Sequence, residues 1–375
     1  MRCIKCGRTY PVGDYFYGCP SCLEKGENAN LTFVYEKGRS FEKDKKSPAR
    51  YRQFLPYENP PYLGEGDTPF LKLSSLAREL GFRSIYSKNE FQNPTGSHKD
   101  RMNPYIVARA KQAGYYAVTC ASSGNEAASL AAYAAAAGLR CVNVSTEAIP
   151  VFWKMASDSC GAQLVLTRTP AERLSYQKEH MDDGLYCATN LLEIPTGSSP
   201  YGIQGYKTIA FEAYEFFGSS LPEFLMIPTC RGDLLYGIYE GFSDLLEEGM
   251  IASVPRLIAA EPFPRLERIL AGECRHQDIF QGDSSKTSSI GGGTATYQSV
   301  FALKNSRGFA ISAPREDVLD SVRAFGKHGL YLETSSAILL NCLKKAKARR
   351  LLSPEASILL ILTSNGYKNN PAIFF

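Results

Sequence analysis

Short apolar runs alternate with longer amphipathic or small-residue stretches along most of the chain. Residues 84–88 pattern as a strand, and 100–113 as a helix in spite of Pro104 near its start. A strand at 116–120 runs into an Ala-Ser-Ser-Gly-Asn turn at 121–125, followed by an alanine-rich helix over 126–138. Strands at 139–144, 224–227, 257–260 and 358–363, with helices at 234–248 and 337–349, continue the alternation. Repeated strand–loop–helix units predict an α/β architecture with mostly parallel sheets. Residues 28–60 are polar, broken by prolines at 48, 56, 60 and 61, and read as a connector. The longest charge-light run, 127–139, is mostly alanine and too short to span a bilayer. It reads as a helix packed closely inside a domain.

Bulk numbers add bounds. A chain of 375 residues is long enough for two or three cores. Its 44% hydrophobic and 21% charged content is that of a soluble globular protein. A formal net charge of +4, from 42 basic and 38 acidic residues, calls for neither nucleic acid nor an acidic membrane as partner. The basic clusters at 43–46 and 344–350 are short and read as solvated faces. No export leader is expected, because Cys3 and Cys6 occupy the zone that an apolar leader needs. Eleven cysteines, without a framework beyond the first 22 residues, fit reduced thiols and a cytoplasmic location.

Those first cysteines carry a pattern. Cys3 and Cys6, then Cys19 and Cys22, form two Cys-x-x-Cys knuckles separated by twelve residues. Each pair can set two thiolates on one face of a tight turn, and two pairs complete a tetrahedron around zinc. Two disulfides, or thiols without a ligand, are the alternatives. With four protein ligands no position remains for water, so the expected zinc is structural.

The stretch 93–101, Asn-Pro-Thr-Gly-Ser-His-Lys-Asp-Arg, is the most informative. Pro94 and Gly96 set a turn, and Ser97 can cap the helix that follows. Lys99 then falls in the first turn, where the positive helix end discourages its protonation. A partly neutral lysine suits imine chemistry. By itself the stretch also describes an exposed lysine near a helix start. Ser122, Ser123, Gly124 and Asn125 open the alanine-rich helix, so their backbone N–H groups make an anion site. A phosphate cradle has two candidates. Gly291, Gly292, Gly293 and Thr294 offer glycine content. Thr229, Cys230, Arg231, Gly232 and Asp233 offer the better context, with a strand leading in and a helix leading out. The expectation rests on 229–233, with the triple glycine as a flexible loop near a substrate.

The stretch 93–101 resembles the cofactor-lysine motif of the tryptophan-synthase-like (fold type II) pyridoxal-phosphate enzymes. Other motifs follow in that family's order. Residues 63–69, Leu-Gly-Glu-Gly-Asp-Thr-Pro, are similar to the opening signature of threonine synthases, and Lys207, Thr208, Phe211 and Glu212 resemble the segment that precedes their phosphate loop. Ile361 to Gly366, reading Ile-Leu-Thr-Ser-Asn-Gly, resembles the strand end where a hydroxyl meets the pyridine nitrogen. The resemblance implies two open twisted α/β domains with the cofactor between them, plus a small amino-terminal zinc ribbon. The domains expected are 1–30 for the ribbon, 31–105 with 200–375 for the larger cofactor domain, and 106–199 for the smaller substrate domain. It also implies that Lys99 anchors pyridoxal 5'-phosphate and acts as the catalytic base. Asn125 and Thr363 would contact the cofactor ring, and 122–125 would take the substrate carboxylate. His98 stands where threonine synthases commonly have Phe. Its Gly-Ser-His-Lys setting resembles the tryptophan synthase β subunit, which implies a contact with the cofactor phosphate; packing at a helix start is the alternative.

Departures from the pattern shape the functional expectation. Threonine synthases of the nearest pattern carry Asn, Ser and Arg where this chain has Thr196, Gly197 and Gly202. Those groups hold the phosphate of phosphohomoserine, and losing a charged donor costs about 1.5–3 kcal/mol per bond. The expectation is therefore a lyase or synthase for an amino acid with a leaving group at Cβ or Cγ, threonine synthase-like but with an altered substrate phosphate site. The alternatives are threonine synthase itself, a cysteate synthase-like enzyme using phosphoserine, and a non-catalytic cofactor-binding or zinc-ribbon interaction protein. A small-molecule amino-acid substrate and a homodimer complete the picture, with no nucleic-acid or membrane partner. Four histidines, at 98, 180, 276 and 328, show no metal-ligand spacing.

Overall fold

The structure is a computed structural model that describes residues 1–370 except 123, 182, 190 and 314–317. Contacts divide the chain into two compact units, Met1–Asp67 with Asn93–Thr208, and Thr68–Gln92 with Ile209–Phe375.

The first unit holds a four-stranded sheet in the order Gln163–Thr167, Arg140–Thr146, Ala117–Ala121, Leu185–Cys187, parallel throughout. The expected strands at 116–120 and 139–144 are its two central members. Both are almost wholly buried, as the near-continuous apolar pattern of a covered parallel sheet requires. The helix Asn125–Ala136 follows directly from Ala117–Ala121, and its alanines allow it to lie close against the sheet. The expected helix over 100–113 is divided. His98–Arg101 is a 3-10 turn, and a separate helix, Asn103–Gln112, begins with Pro104 where proline is tolerated.

Residues 28–60 do more than connect. Tyr51 and Phe54 of the 3-10 segment Ala49–Phe54 are fully buried, with the Phe41 ring edge-on to both. Lys207, buried in the same unit, donates to the Phe54 carbonyl at 2.7 Å. The aromatic residues of this polar stretch thus form part of a core, which is why contacts join 31–67 to Asn93–Thr208 rather than to the larger sheet.

The second unit is built on six strands in the order Phe309–Ser312, Arg256–Glu261, Phe224–Pro228, Ser357–Ile361, Ser84–Lys88, Phe70–Lys72. The first five are parallel, and Phe70–Lys72 closes one edge antiparallel to Ser84–Lys88. Its core is continuous, from Leu76 and Ile85 through Met226 and Ile258 to Leu339 and Leu360. Among the described residues, no helix is long and apolar enough to cross a membrane.

Candidate active site

In the first unit the turn before Lys99 is built as the sequence suggests. Gly96 takes φ 77°, its N–H donates to the Asn93 carbonyl, and the Ser97 hydroxyl accepts from the Lys99 N–H. Asp100 is fully buried and anchors the turn. It accepts from the Thr95 backbone and hydroxyl at 2.7 and 2.6 Å, and from the Ser129 hydroxyl at 2.6 Å. Arg101, also buried, donates to the Thr208 hydroxyl at 2.9 Å.

Lys99 differs from expectation in its electrostatics. The helix Asn103–Gln112 starts beyond it, and Lys99 Nζ lies 3.0 Å from Glu126 Oε2. A carboxylate at that distance favours the charged amine and opposes the effect expected from the capped turn in which Lys99 lies. Glu126 is a residue that sequence reading missed. Its one visible signal is an acidic side chain in the first turn of an otherwise alanine-rich helix.

Asn125 and Gly124 stand at the start of that helix, with Gly124 as its capping position and Asn125 buried. The Gly124 N–H donates to the Ser122 hydroxyl at 3.3 Å, and Ser123 lies outside the described residues. The chain's single tryptophan, Trp153, stands against this loop: a Cβ added at Gly124 would meet its indole at 3.7 Å. The His98 ring is 5.7 Å from that of Tyr206, a packing contact within the same unit.

Gly202 sits in the helix Pro200–Gly205, and a Cβ there would come within 2.6 Å of Met102 and 2.7 Å of Ile106. A side chain at this position would have to push the Met102 and Ile106 side chains aside.

The four amino-terminal thiols converge. Their sulfurs all lie within 4.8 Å of one another, with Cys3 to Cys22 and Cys6 to Cys19 each at 3.7 Å. A tetrahedral ion bound at about 2.3 Å requires sulfurs about 3.8 Å apart, so the cluster has the dimensions of a zinc site. Burial raises the Cys3 thiol, and backbone N–H groups of Lys5 and Cys6, donating to its sulfur at 3.4 Å, oppose that rise. The cluster packs on the segment that contains Thr196. Asn30 donates to the Ser198 carbonyl at 3.0 Å, Asn28 donates to the Ile194 carbonyl, and Gly18 leaves no space for a Cβ beside Thr196.

In the second unit the loop 229–233 joins the strand Phe224–Pro228 to the 15-residue helix Asp233–Glu247. Gly232 adopts φ 89°, and a Cβ there would collide with Ser299. The Thr296 hydroxyl donates to the Arg231 carbonyl, and Gln298 donates to Asp233. The two phosphate-cradle candidates prove to be neighbours: a Cβ on Gly292 would lie 3.0 Å from Cys230 Sγ and 4.0 Å from Arg231 Nε. Arg231 Nε and Thr294 Oγ1 are buried without a hydrogen-bond partner among the described residues. Unsatisfied donors beside a helix N-terminus fit a bound phosphate. Arg265 was not singled out from sequence. Fully buried with Glu261, it donates to the carbonyls of Thr229 at 2.8 Å, Ile290 at 3.3 Å, and Gly292. An arginine four residues beyond a strand-end glutamate was the available signal. Thr363 is buried just beyond the strand Ser357–Ile361, its N–H donating to the Ser336 hydroxyl at 2.9 Å.

Comparison with known proteins accords with this arrangement. The family model described as pyridoxal-phosphate dependent enzyme matches residues 62–364. A threonine synthase from Methanocaldococcus jannaschii is 29% identical over 392 aligned positions, covering 99% of this chain and 93% of that protein. One from Halalkalibacterium halodurans is 31% identical, covering 85% and 88%. Among solved structures, a fungal L-serine ammonia-lyase from Rhizomucor miehei superposes with a TM-score of 0.67 at 20% identity, covering 82% of this chain and 96% of that one. Threonine deaminase isoform 2 from Solanum lycopersicum gives 0.66 at 17% identity, covering 89% and 95%.

Proposed function

The chain belongs to the pyridoxal-phosphate dependent enzyme family, and from that premise we propose a threonine synthase-like lyase or synthase whose substrate differs from phosphohomoserine. The substrate is an amino acid with a leaving group at Cβ or Cγ. Lys99 is the residue that holds the cofactor. The loop 229–233, with Arg231 and Thr294, holds its phosphate; Asn125, Thr363 and His98 complete its contacts.

When bound, pyridoxal phosphate supplies an electron sink for the pair left at the substrate Cα. The rest of the chemistry belongs to the chain. Backbone N–H groups of 122–125 orient the substrate carboxylate at the helix N-terminus. Lys99 Nζ removes the proton from Cα. The Thr363 hydroxyl is a neutral partner for the ring nitrogen, which suits departure of a leaving group over a long-lived carbanion. Zinc, held by Cys3, Cys6, Cys19 and Cys22, supports the segment around Thr196 and takes no part in bond breaking.

One observation carries the altered specificity: Gly202, where the related pattern has arginine, is packed against Met102 and Ile106. An arginine there would have to displace the Met102 and Ile106 side chains before it could meet a phosphate. The test is a panel of phosphorylated, acylated and hydroxylated amino acids, scored by release of phosphate, keto acid and ammonia. Trp153 emission provides a parallel binding signal beside the carboxylate loop. Acylated or hydroxylated substrates are expected to exceed phosphohomoserine in kcat/KM. Dominant conversion of phosphohomoserine to threonine would establish the alternative, a threonine synthase.

A further inference from the structure

We propose that Glu126 is the proton-exchange partner of Lys99, a role that rests on Lys99 being the cofactor lysine. Glu126 Oε2 lies 3.0 Å from Lys99 Nζ, with 6% of the glutamate side chain and 20% of the lysine side chain exposed. With its amide turned to satisfy both neighbours, Asn103 donates to the other carboxylate oxygen at 3.0 Å and accepts from the Leu130 N–H at 3.2 Å. The first turn of the helix Asn125–Ala136 favours a negative charge at this position. Glu126 is thus a buried carboxylate held by Asn103 on one oxygen and within 3.0 Å of the reacting nitrogen on the other.

A lysine that forms a carbon–nitrogen double bond, and later lifts a proton, needs an unprotonated nitrogen. The ion pair alone holds it charged. The geometry offers a route: one proton passes from Lys99 Nζ to Glu126 Oε2, turning an ammonium and a carboxylate into an amine and a carboxylic acid. Net charge is unchanged, so no isolated charge is left in a buried site. The reverse transfer restores the pair.

Other titratable groups face this pair from the elements packed around it. Asp100 is committed to Thr95 and Ser129. Cys120, on the neighbouring strand, is raised well above the usual thiol range by burial, with Glu126 adding to the rise and Lys99 and Arg173 opposing it. Cys141, on the next strand, is pushed up to about 12 by burial, with smaller contributions from Cys160 and Glu126. Both thiols stay neutral in the working range. Arg173 is a permanent cation. Glu126 is the group placed to exchange a proton with Lys99.

Glu126→Gln removes the acceptor while keeping the shape, and Glu126→Asp returns a carboxylate one carbon shorter. Trinitrobenzenesulfonate modification of Lys99, followed by peptide mapping across pH in the full-length apoprotein, reads the amine directly. Loss of the counter-ion in Glu126→Gln is expected to shift the reactive range lower by about one pH unit or more. In the holoenzyme kcat is expected to fall about 100-fold, with partial recovery in Glu126→Asp. A folded Glu126→Gln whose modification profile superimposes on that of the natural chain overturns the inference, as does an aspartate variant no better than glutamine. Should the glutamine variant not fold, the aspartate variant decides: an unshifted profile together with unchanged kcat and pH dependence overturns the role. Borohydride reduction of the natural holoenzyme separates the two ideas. A label away from Lys99 removes the cofactor-lysine reading itself, whereas a Lys99 label with an unshifted profile removes the role of Glu126 alone.

Discussion

Arg265 donates to the carbonyl of Thr229 at 2.8 Å from a fully buried guanidinium that also meets Glu261 at 3.2 Å. Because the same guanidinium reaches Ile290 and Gly292, one side chain fastens the 229–233 loop to the triple-glycine loop. Arg265→Met should leave Glu261 as an uncompensated buried charge and cost about 3–5 kcal/mol. Arg265→Lys keeps a charge but lacks the planar fork, and should retain stability better than cofactor affinity. Denaturant unfolding and cofactor titration measure the two effects. A methionine variant as stable as the natural chain contradicts the clamp.

Arg231 presents a buried Nε without a partner among the described residues, next to Gly292. If it completes the cofactor phosphate site, Arg231→Ala loses a charged hydrogen bond of about 1.5–3 kcal/mol, roughly a 10- to 150-fold weaker affinity. The loss should be the same whichever amino acid is present. Equilibrium dialysis of pyridoxal phosphate checks it. Unchanged cofactor affinity with kcat/KM reduced only for anionic substrates would reassign Arg231 to the substrate.

Metal analysis should find one zinc per chain. Chelation, or Cys19→Ser, should lower the melting temperature by about 5–10 °C. The region around Ile194, Thr196 and Ser198, on which the cysteine cluster packs, should lose hydrogen-exchange protection first. Full occupancy of disulfides in the purified protein, with no metal, is the result that rules zinc out.

Glu65 is held above the ordinary carboxylate range, chiefly by burial, while bonds from Tyr133 and the Leu63 backbone act in the opposite direction. The folded state therefore binds this proton more tightly than the unfolded chain. The stability gained is complete below the unfolded value of about 4.3 and is lost as pH rises through the folded one. Glu65→Gln preserves one oxygen for both donors and places an amide where Oε1 has no partner among the described residues. Thermal melts from about pH 5 to about pH 8 should show a shallower loss of stability in the variant. A steeper loss contradicts the assignment.

Local pattern determined a large part of this protein. The strands now seen at Ser84–Lys88, Phe224–Pro228 and Arg256–Glu261, and the helices after Gly124 and Gly232, were legible because apolar periodicity and turn chemistry act between near neighbours. The same holds for the Asn93 to Ser97 turn that presents Lys99, and for the doubled cysteine spacing. Tertiary structure decided the rest. Gln163–Thr167 carries a weak, half-buried pattern, and Leu185–Cys187 is too short to declare itself, so both are strands only through pairing with their neighbours. Tyr51 and Phe54 look like aromatic residues in a polar connector until packing buries them. The electrostatics of the site were the least legible. Glu126 meets Lys99, and Arg265 meets Thr229, 36 residues away, only after the chain has folded. A buried charge must find its partner wherever the fold provides one, and that distance is set by the assembled core rather than by spacing along the chain.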